Sequence, residues 1–366
     1  MKSLLFCRVY YTIDNNNIPT GDTPALRNHR REKMKKLLSL CLSGVVLAGA
    51  AVSFAACGGG ADYNIGIVQY AVHDALTDAS EGFQDKLTEL MEAEGKTVSY
   101  NVQNAQGQAT NSKPIVDTFI ARNVDLIYAI ATPSAQTAAG TTSTIPVLFN
   151  AVTDPGPASA KLVGEDGTSG KNVSGVSDMN PMEKQFDLME ELLGDTQMKL
   201  GILYTSSEPN SKTQADEMTA IALENGMSED DIVIATVTTA SDIENALNNT
   251  LKNQGVNMVY IPTDNMLASA ASTVHSMNVK TNPVPIVCGE ANMNDLCGVA
   301  TLAIDYYVLG ELAAQMAFDV LVKGTDIGTM KYQTCPEDKL VYSVNDTVAD
   351  EIGFTVPQSV YDKVGK

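Results

Sequence analysis

Residues 125–134 read Asp-Leu-Ile-Tyr-Ala-Ile-Ala-Thr-Pro-Ser, and residues 257–264 read Asn-Met-Val-Tyr-Ile-Pro-Thr-Asp. Each is an apolar run with a central tyrosine, closed by a threonine-bearing turn and followed by a helical pattern. Apolar residues without alternation suit a strand buried on both faces of a parallel sheet. Two such segments, one in each half of the chain, point to two lobes in which each forms the third strand. The competing reading is one large doubly wound domain.

Working outward, strands are expected at 64–69, 97–102, 125–130 and 146–149. Between them lie helices at 75–94, 112–122 and 134–141. Leu76, Ala79, Phe83, Leu87 and Leu90 share one face of the first helix, and Gly95 stops it. Pro114 is expected in the first turn of the second helix, where a missing N–H is harmless. After a break near 172–180 the alternation resumes. Asn180-Pro181-Met182-Glu183 reads as N-cap, N1 and N3 of a helix. Strands follow at 200–204, 232–237, 257–261, 284–287 and 299–304. Helices are expected at 209–225, 242–253 (opened by a capping box at Ser241–Glu244), 265–277 and 305–323. Alternation of this kind builds parallel sheets flanked by helices, an α/β class.

In open α/β sheets ligands bind beyond the carboxyl ends of the strands. In the first lobe those ends carry Gln69, Tyr70 and His73, then Asn104, then Thr132 and Ser134, then Thr153 and Asp154. In the second they carry Ser206, Ser207 and Glu208, then Thr263, Asp264 and Asn265, then Glu290, then Asp305. Hydroxyls, amides and a few carboxylates suit a small zwitterion. Thr132 and Ser134, at a helix start, are candidates for holding a carboxylate. Glu208, Asp264 or Asp305 are candidates for an ammonium group. Tyr70 and His73 can flank an apolar or aromatic side chain. Ser134 and Asp264 also suit plain helix capping.

The chain has 366 residues, a net charge of −20, no tryptophan and 6% aromatic residues. Residues 1–56 hold eight Lys/Arg and three Asp/Glu, so the remainder carries −25. Such a surface repels phosphate backbones, and nucleic acid is excluded as a partner. No G-x-S-x-G, P-loop, H-E-x-x-H or post-strand G-x-G-x-x-G occurs. No catalytic residue, cofactor or metal site is therefore expected, and the chain reads as a binding protein rather than an enzyme. Cys288, Cys297 and Cys335 lack metal-site spacing. Their odd number leaves at least one thiol free or intermolecular. Buried free thiols and a Cys288–Cys297 bridge both remain open.

The amino-terminal segment reads as an export signal. Residues 34–56 place Lys35 and Lys36 before an uncharged apolar run, and small residues precede Cys57. Residues 1–33 are polar and Asn-rich, fit an over-extended start, and are expected to be disordered. Residues 57–62 form a tether with Gly58, Gly59 and Gly60. The Ala-Ala-Cys ending resembles a lipobox, which implies that Cys57 is diacylated and anchors the chain to the cell membrane.

The stretches IGIVQY (65–70), QNAQG (103–107), DLIYAIATPSAQ (125–136), AVTDP (151–155), NVSGVSD (172–178), LYTSSE (203–208), YIPTDNMLAS (260–269) and AIDYYVLG (303–310) resemble, in this order, the substrate-binding family of ABC importers whose best-known members take tryptophan and related aromatic amino acids. The resemblance implies a class-I periplasmic-binding-protein fold, with two Rossmann-like lobes joined by three crossovers. It places residues 63–178 plus 301–327 in lobe 1 and 179–300 plus 328–366 in lobe 2. It further implies a monomer that binds an amino acid, aromatic or large and apolar, between the lobes and delivers it to permease and ATPase subunits. The segment Val287-Cys288-Gly289-Glu290 departs from the Gly-Gly-Glu frequent in relatives. The same bilobal module would also serve a lipid-anchored sensor or co-receptor for a signalling partner.

Overall fold

The computed structural model describes residues 60–364. The expectations for residues 1–33, for the export signal at 34–56 and for Cys57 lie outside the described residues. Within them, the chain forms two six-stranded sheets.

The first sheet contains β1 (Tyr63–Gln69), β2 (Val98–Asn104), β3 (Leu126–Ile130), β4 (Val147–Asn150), β5 (Val173–Ser177) and β11 (Gln333–Thr334). Their order is β11-β5-β4-β3-β1-β2, all parallel. Helices α1 (Asp74–Ala93), α2 (Ala109–Ala121) and α3 (Thr132–Thr141) connect them. The second sheet contains β6 (Leu200–Thr205), β7 (Ile232–Val237), β8 (Met258–Ile261), β9 (Ile286–Cys288), β10 (Ala300–Ile304) and β12 (Leu340–Val344). Its order is β12-β10-β9-β8-β6-β7, and only β12 runs antiparallel to its neighbour. Its helices are α4 (Met182–Leu193), α5 (Pro209–Glu224), α6 (Asn265–Ser269), α7 (Ala271–Lys280), α8 (Ala291–Cys297), α10 (Asp346–Ile352) and α11 (Gln358–Val364).

The paired segments at 125–134 and 257–264 supply the central strands β3 and β8 of the two sheets. Every residue of β3 and of β8 is buried. Their tyrosines organise the surroundings. Tyr128 stacks on Phe83 at 3.9 Å and donates to the Ala79 carbonyl at 3.1 Å, fixing α1 on the sheet. Tyr260 donates to Gln185 Oε1 at 2.9 Å, fixing α4. Truncating a buried ring of this kind costs about 3–5 kcal/mol.

Helix α9 (Tyr306–Leu321) leaves β10 and packs on the first lobe. It does so at backbone distance. A Cβ on Gly82 would lie 2.2 Å from the Tyr307 carbonyl oxygen, and one on Gly310 would lie 2.4 Å from that of Ala79. The chain thus passes between sheets after β5, between β10 and α9, and between β11 and β12.

Several elements differ from the sequence pattern. Residues 173–177 are a buried strand rather than a break, hidden by Ser and Gly where an apolar run would be expected. Gly175 is required there, since a Cβ would lie 2.0 Å from the Phe149 carbonyl oxygen. Residues 301–304 belong to the second sheet, paired with β9 and β12, although they were expected in lobe 1. Gln333 and Thr334 pair with β5 of the first sheet, although 328–366 was expected in lobe 2. Pro114 lies inside α2, which starts earlier than the pattern indicates. Residue 181, not 180, is the N-cap of α4, without a side-chain cap. The capping box is Thr239 with Asp242, and a π-helical turn follows at Asn245–Leu251. The helix expected over 265–277 is broken at Ala270. On α1, Met91 rather than Leu90 completes the fully buried face.

Candidate functional site

The carboxyl ends of the two sheets face each other, and the repeated turns sit at their centres. After β3, Ala131 holds φ 78° and α3 begins. Thr132 is 1% exposed, and its Oγ1 makes no hydrogen bond within the protein. Pro133 carries no N–H, and Ser134 Oγ lies 3.3 Å from Ser112 Oγ. The N–H groups of a helix's first turn have no intrahelical partner and carry the positive end of its dipole.

The matching turn after β8 is already saturated. Thr263 Oγ1 accepts from Asn180 Nδ2 at 2.9 Å and from Gln214 Nε2 at 3.2 Å. Asp264 accepts from Thr205 N at 2.6 Å, Thr205 Oγ1 at 2.8 Å and Leu267 N at 2.9 Å. It caps α6 and ties β8 to β6. Burial pushes its carboxyl above the usual range.

Beside this turn the second lobe buries further carboxyls. Glu208 accepts from the Asn265 backbone N–H at 3.0 Å, Asn265 Nδ2 at 2.6 Å, Asn210 Nδ2 at 3.2 Å and the Met266 N–H at 3.0 Å. Burial, then the Asp264 charge, push it up to about 7. Glu290 is 1% exposed, and its Oε2 has no hydrogen bond within the protein. Burial, then the carboxylates of Asp178, Asp264 and Glu208, hold it well above the ordinary carboxylate range. Among the described residues no lysine or arginine is buried to offset these groups, and no cluster of His, Cys, Asp or Glu could hold a metal ion.

The first lobe reaches this wall through the loop after β1. His73 Nε2 lies 3.3 Å from Asn265 Oδ1, and its Nδ1 lies 3.7 Å from Glu290 Oε2. Burial pulls its pKa down to about 4, so it is neutral at pH 7. Tyr70 donates to the Gly107 carbonyl at 2.9 Å, and is pushed up to about 12 by burial and by Glu208 and Asp264. Asn292 of α8 donates to Asp78 of α1 at 3.0 Å, and Ser159 bonds Thr213 of α5 at 2.9 Å. The lobes are therefore closed on each other. A cavity of about 160 Å³ remains at the mouth, between Val72, His73 and Asp74 on one side and Ser269, Glu290, Asn292 and Leu296 on the other. Larger cavities of about 520, 460 and 560 Å³ lie elsewhere, and no buried, unpartnered polar atom lines them.

The structure thus brings Tyr70, His73, Glu208, Thr263, Asp264, Asn265 and Glu290 together, with Thr132 and Ser134 on the neighbouring strand end. Other sequence candidates are engaged locally. Gln69 Nε2 donates to the Ala71 carbonyl. Asn104 accepts from the Gln106 N–H and Asp154 from the Gly156 N–H, both in tight turns. Ser206 and Ser207 are exposed. Asp305 caps α9 through the Tyr307 and Val308 N–H groups. Thr153 Oγ1 donates to Asp178 at 3.1 Å. Asp178 is itself a residue that sequence patterning missed. It is fully buried, raised by burial, and accepts from Tyr306 at 2.6 Å. Asn180, Asn210 and Gln214 were also missed. Asn180 stands before a helix, where a polar side chain equally suits a cap, and it instead donates to Thr263.

The sequence profile of the family described as ABC transporter substrate binding protein matches residues 64–366. The chain belongs to this family. Its members are binding proteins of ABC transporters, a class that in general does no catalysis. A tyrosine-binding protein of Clostridioides difficile (strain R20291) is 32% identical over 321 residues, covering 84% of this chain and 90% of the relative. The ABC domain from Streptococcus pneumonia, solved with L-Trp, is 32% identical with TM-score 0.72, covering 82% of this chain and 99% of that one. The ligand-free, open structure of a substrate binding protein from Clostridium difficile is 29% identical with TM-score 0.60, covering 81% and 96%.

Proposed function

We propose that this chain is the extracytoplasmic receptor of an ABC importer, binding an aromatic amino acid between its lobes and delivering it to the permease. The observation that carries the reading is Glu290. Its buried carboxyl points an oxygen without a hydrogen bond at the cleft, among other acidic groups, with only the neutral His73 ring 3.7 Å away and no buried lysine or arginine among the described residues. An ammonium group supplies the missing charge. In this reading Glu290 receives the ammonium through a charge-assisted bond, and Glu208, already holding four donors, adds negative charge beside it. Thr132, Ser134 and the first N–H groups of α3 receive the carboxylate, and Tyr70 and His73 flank the ring. The names of the relatives that bind tyrosine and tryptophan support the same ligand class.

The cavity at the mouth is below the ~300 Å³ of ordinary ligand pockets, so entry requires the lobes to hinge apart. The higher TM-score with the L-Trp complex than with the open, ligand-free relative supports a closed arrangement here. Binding shifts the population from open to closed because only the closed form gives the ligand both walls. Cys57 would hold the receptor at the membrane through its lipid, and Cys57→Ser should release it into the medium.

A thermal-shift screen of the protein against the common amino acids tests the ligand class. Tyrosine or tryptophan at 100 times the dissociation constant should stabilise it by about 2.7 kcal/mol. Stabilisation by sugars or nucleosides, and by no amino acid, would overturn it.

A further inference from the structure

We propose that Cys288 and Cys297 are a disulfide-forming pair that clamps α8 to the end of β9. Cys288 is the last residue of β9 and Cys297 the last of α8. Both are fully buried, and their sulfurs lie 3.8 Å apart across a separation of nine residues. Closing that gap to the ~2.05 Å of a disulfide asks each sulfur to move by less than about 1 Å, which side-chain rotation supplies. Gly298 keeps the space open, since a Cβ there would lie 3.0 Å from Cys288 Sγ. Cys335 is set apart from the pair. It follows β11 in the third crossover, and its thiol is turned to the Pro336 carbonyl at 3.6 Å. It is the odd thiol of the three.

The chemistry balances as an exchange. The two thiols give up two protons and two electrons to a disulfide-bearing oxidant, through a mixed disulfide, and the oxidant leaves as two thiols. Both sulfurs are fully buried, out of reach of a disulfide reagent, and burial also pushes the Cys288 thiol up, so the folded pair is inert towards such exchange. The bond therefore forms while the second lobe is folding, before the pair is covered. The consequence lies at the cleft. Glu290 is the N-cap of α8, and Asn292 on the same helix makes the bond to Asp78 across the lobes. Clamping both ends of this segment fixes the wall that carries Glu290. The bond itself does not depend on which ligand the cleft takes.

The test is a peptide map of the full chain, refolded from denaturant in a glutathione redox mixture and alkylated while denatured. Residues 281–323 contain no lysine or arginine before Lys323, so trypsin leaves both cysteines on one peptide. That peptide should escape alkylation and be lighter by two hydrogen atoms. After further cleavage at Glu290 its two halves should stay joined until a reductant is added. Cys335→Ser should leave this pattern unchanged. Alkylation of both cysteines, or linkage of either to any other cysteine, would overturn the proposal. A map that holds while every amino acid fails to bind would sink the proposed ligand and leave the disulfide standing.

Discussion

The turn after β3 and the turn after β8 occupy equivalent places in the two lobes, yet they are in opposite states. Thr132 is buried with an unpartnered hydroxyl, whereas Thr263 has both neighbours it needs in Asn180 and Gln214. Asp264 is held by donors of its own lobe, among them Thr205 and Leu267, and the first-lobe turn has no carboxylate at all. One lobe is therefore finished internally and offers charge through Glu290 beside the turn. The other keeps donors in reserve. In the proposed reading this difference would give the ligand a direction, carboxylate to the first lobe and ammonium to the second.

Mutation can break this asymmetry. The largest effect is expected from Asp264→Ala, which orphans the Thr205 and Leu267 N–H groups. It should cost about 3 kcal/mol of stability, read by chemical denaturation. The equivalent change in the first lobe, Thr132→Val, should leave stability within about 0.5 kcal/mol yet weaken ligand binding about tenfold. Equal stability losses in the two variants would abolish the contrast. Glu290→Gln keeps the shape and removes the charge, and should weaken binding of an amino acid by about 10–100-fold in calorimetry. An unchanged affinity would take Glu290 out of the site.

Acidity sharpens the same contrast with a smaller effect. Glu208 titrates at about 7 in the fold against an ordinary 4.5. The folded protein then holds more protons than the unfolded one between those values, and stability falls as pH rises through 7. His73, lowered to about 4 from 6.5, contributes the opposite slope, but only below pH 6.5. Glu290, Asp264 and Asp178 are raised and add to the fall. Between pH 6.5 and 8 the ligand-free protein should lose on the order of 1 kcal/mol, and a bound ammonium should reduce that loss. Rising stability over this window would contradict the account. The smallest effect is expected from Asp305→Ala, which removes a helix cap. It should cost about 1 kcal/mol of stability and change affinity by less than about twofold.

Much of the fold was legible because buried parallel strands announce themselves as apolar runs. β1, β3, β6 and β8 all read clearly. β5 did not, because Gly175 and two serines replace the expected apolar residues where Phe149 packs against the backbone. β12 was missed for another reason. It is antiparallel and half-buried, at the edge of its sheet. The candidate site was legible by position and less so by role. Strand ends flagged His73, Glu208, Asn265 and Glu290, which do converge. The same rule flagged Asp305, Asn104 and Asp154, whose carboxylate or amide groups are used in caps and turns. Local sequence cannot separate these outcomes, since a cap and a ligand contact want the same residue types. Asp178 and Asn180 escaped because they sit in a crossover, whose path is set only once both lobes are folded.

The central claim is that one ligand is held by its carboxylate on the first lobe and by its ammonium on the second. Titration calorimetry with L-tryptophan, tryptamine and indole-3-propionate tests it most directly. The intact amino acid should bind, and each truncated analogue should bind at least about tenfold more weakly, since each leaves one wall unpaired. Equal affinities for the amino acid and either analogue would contradict the account.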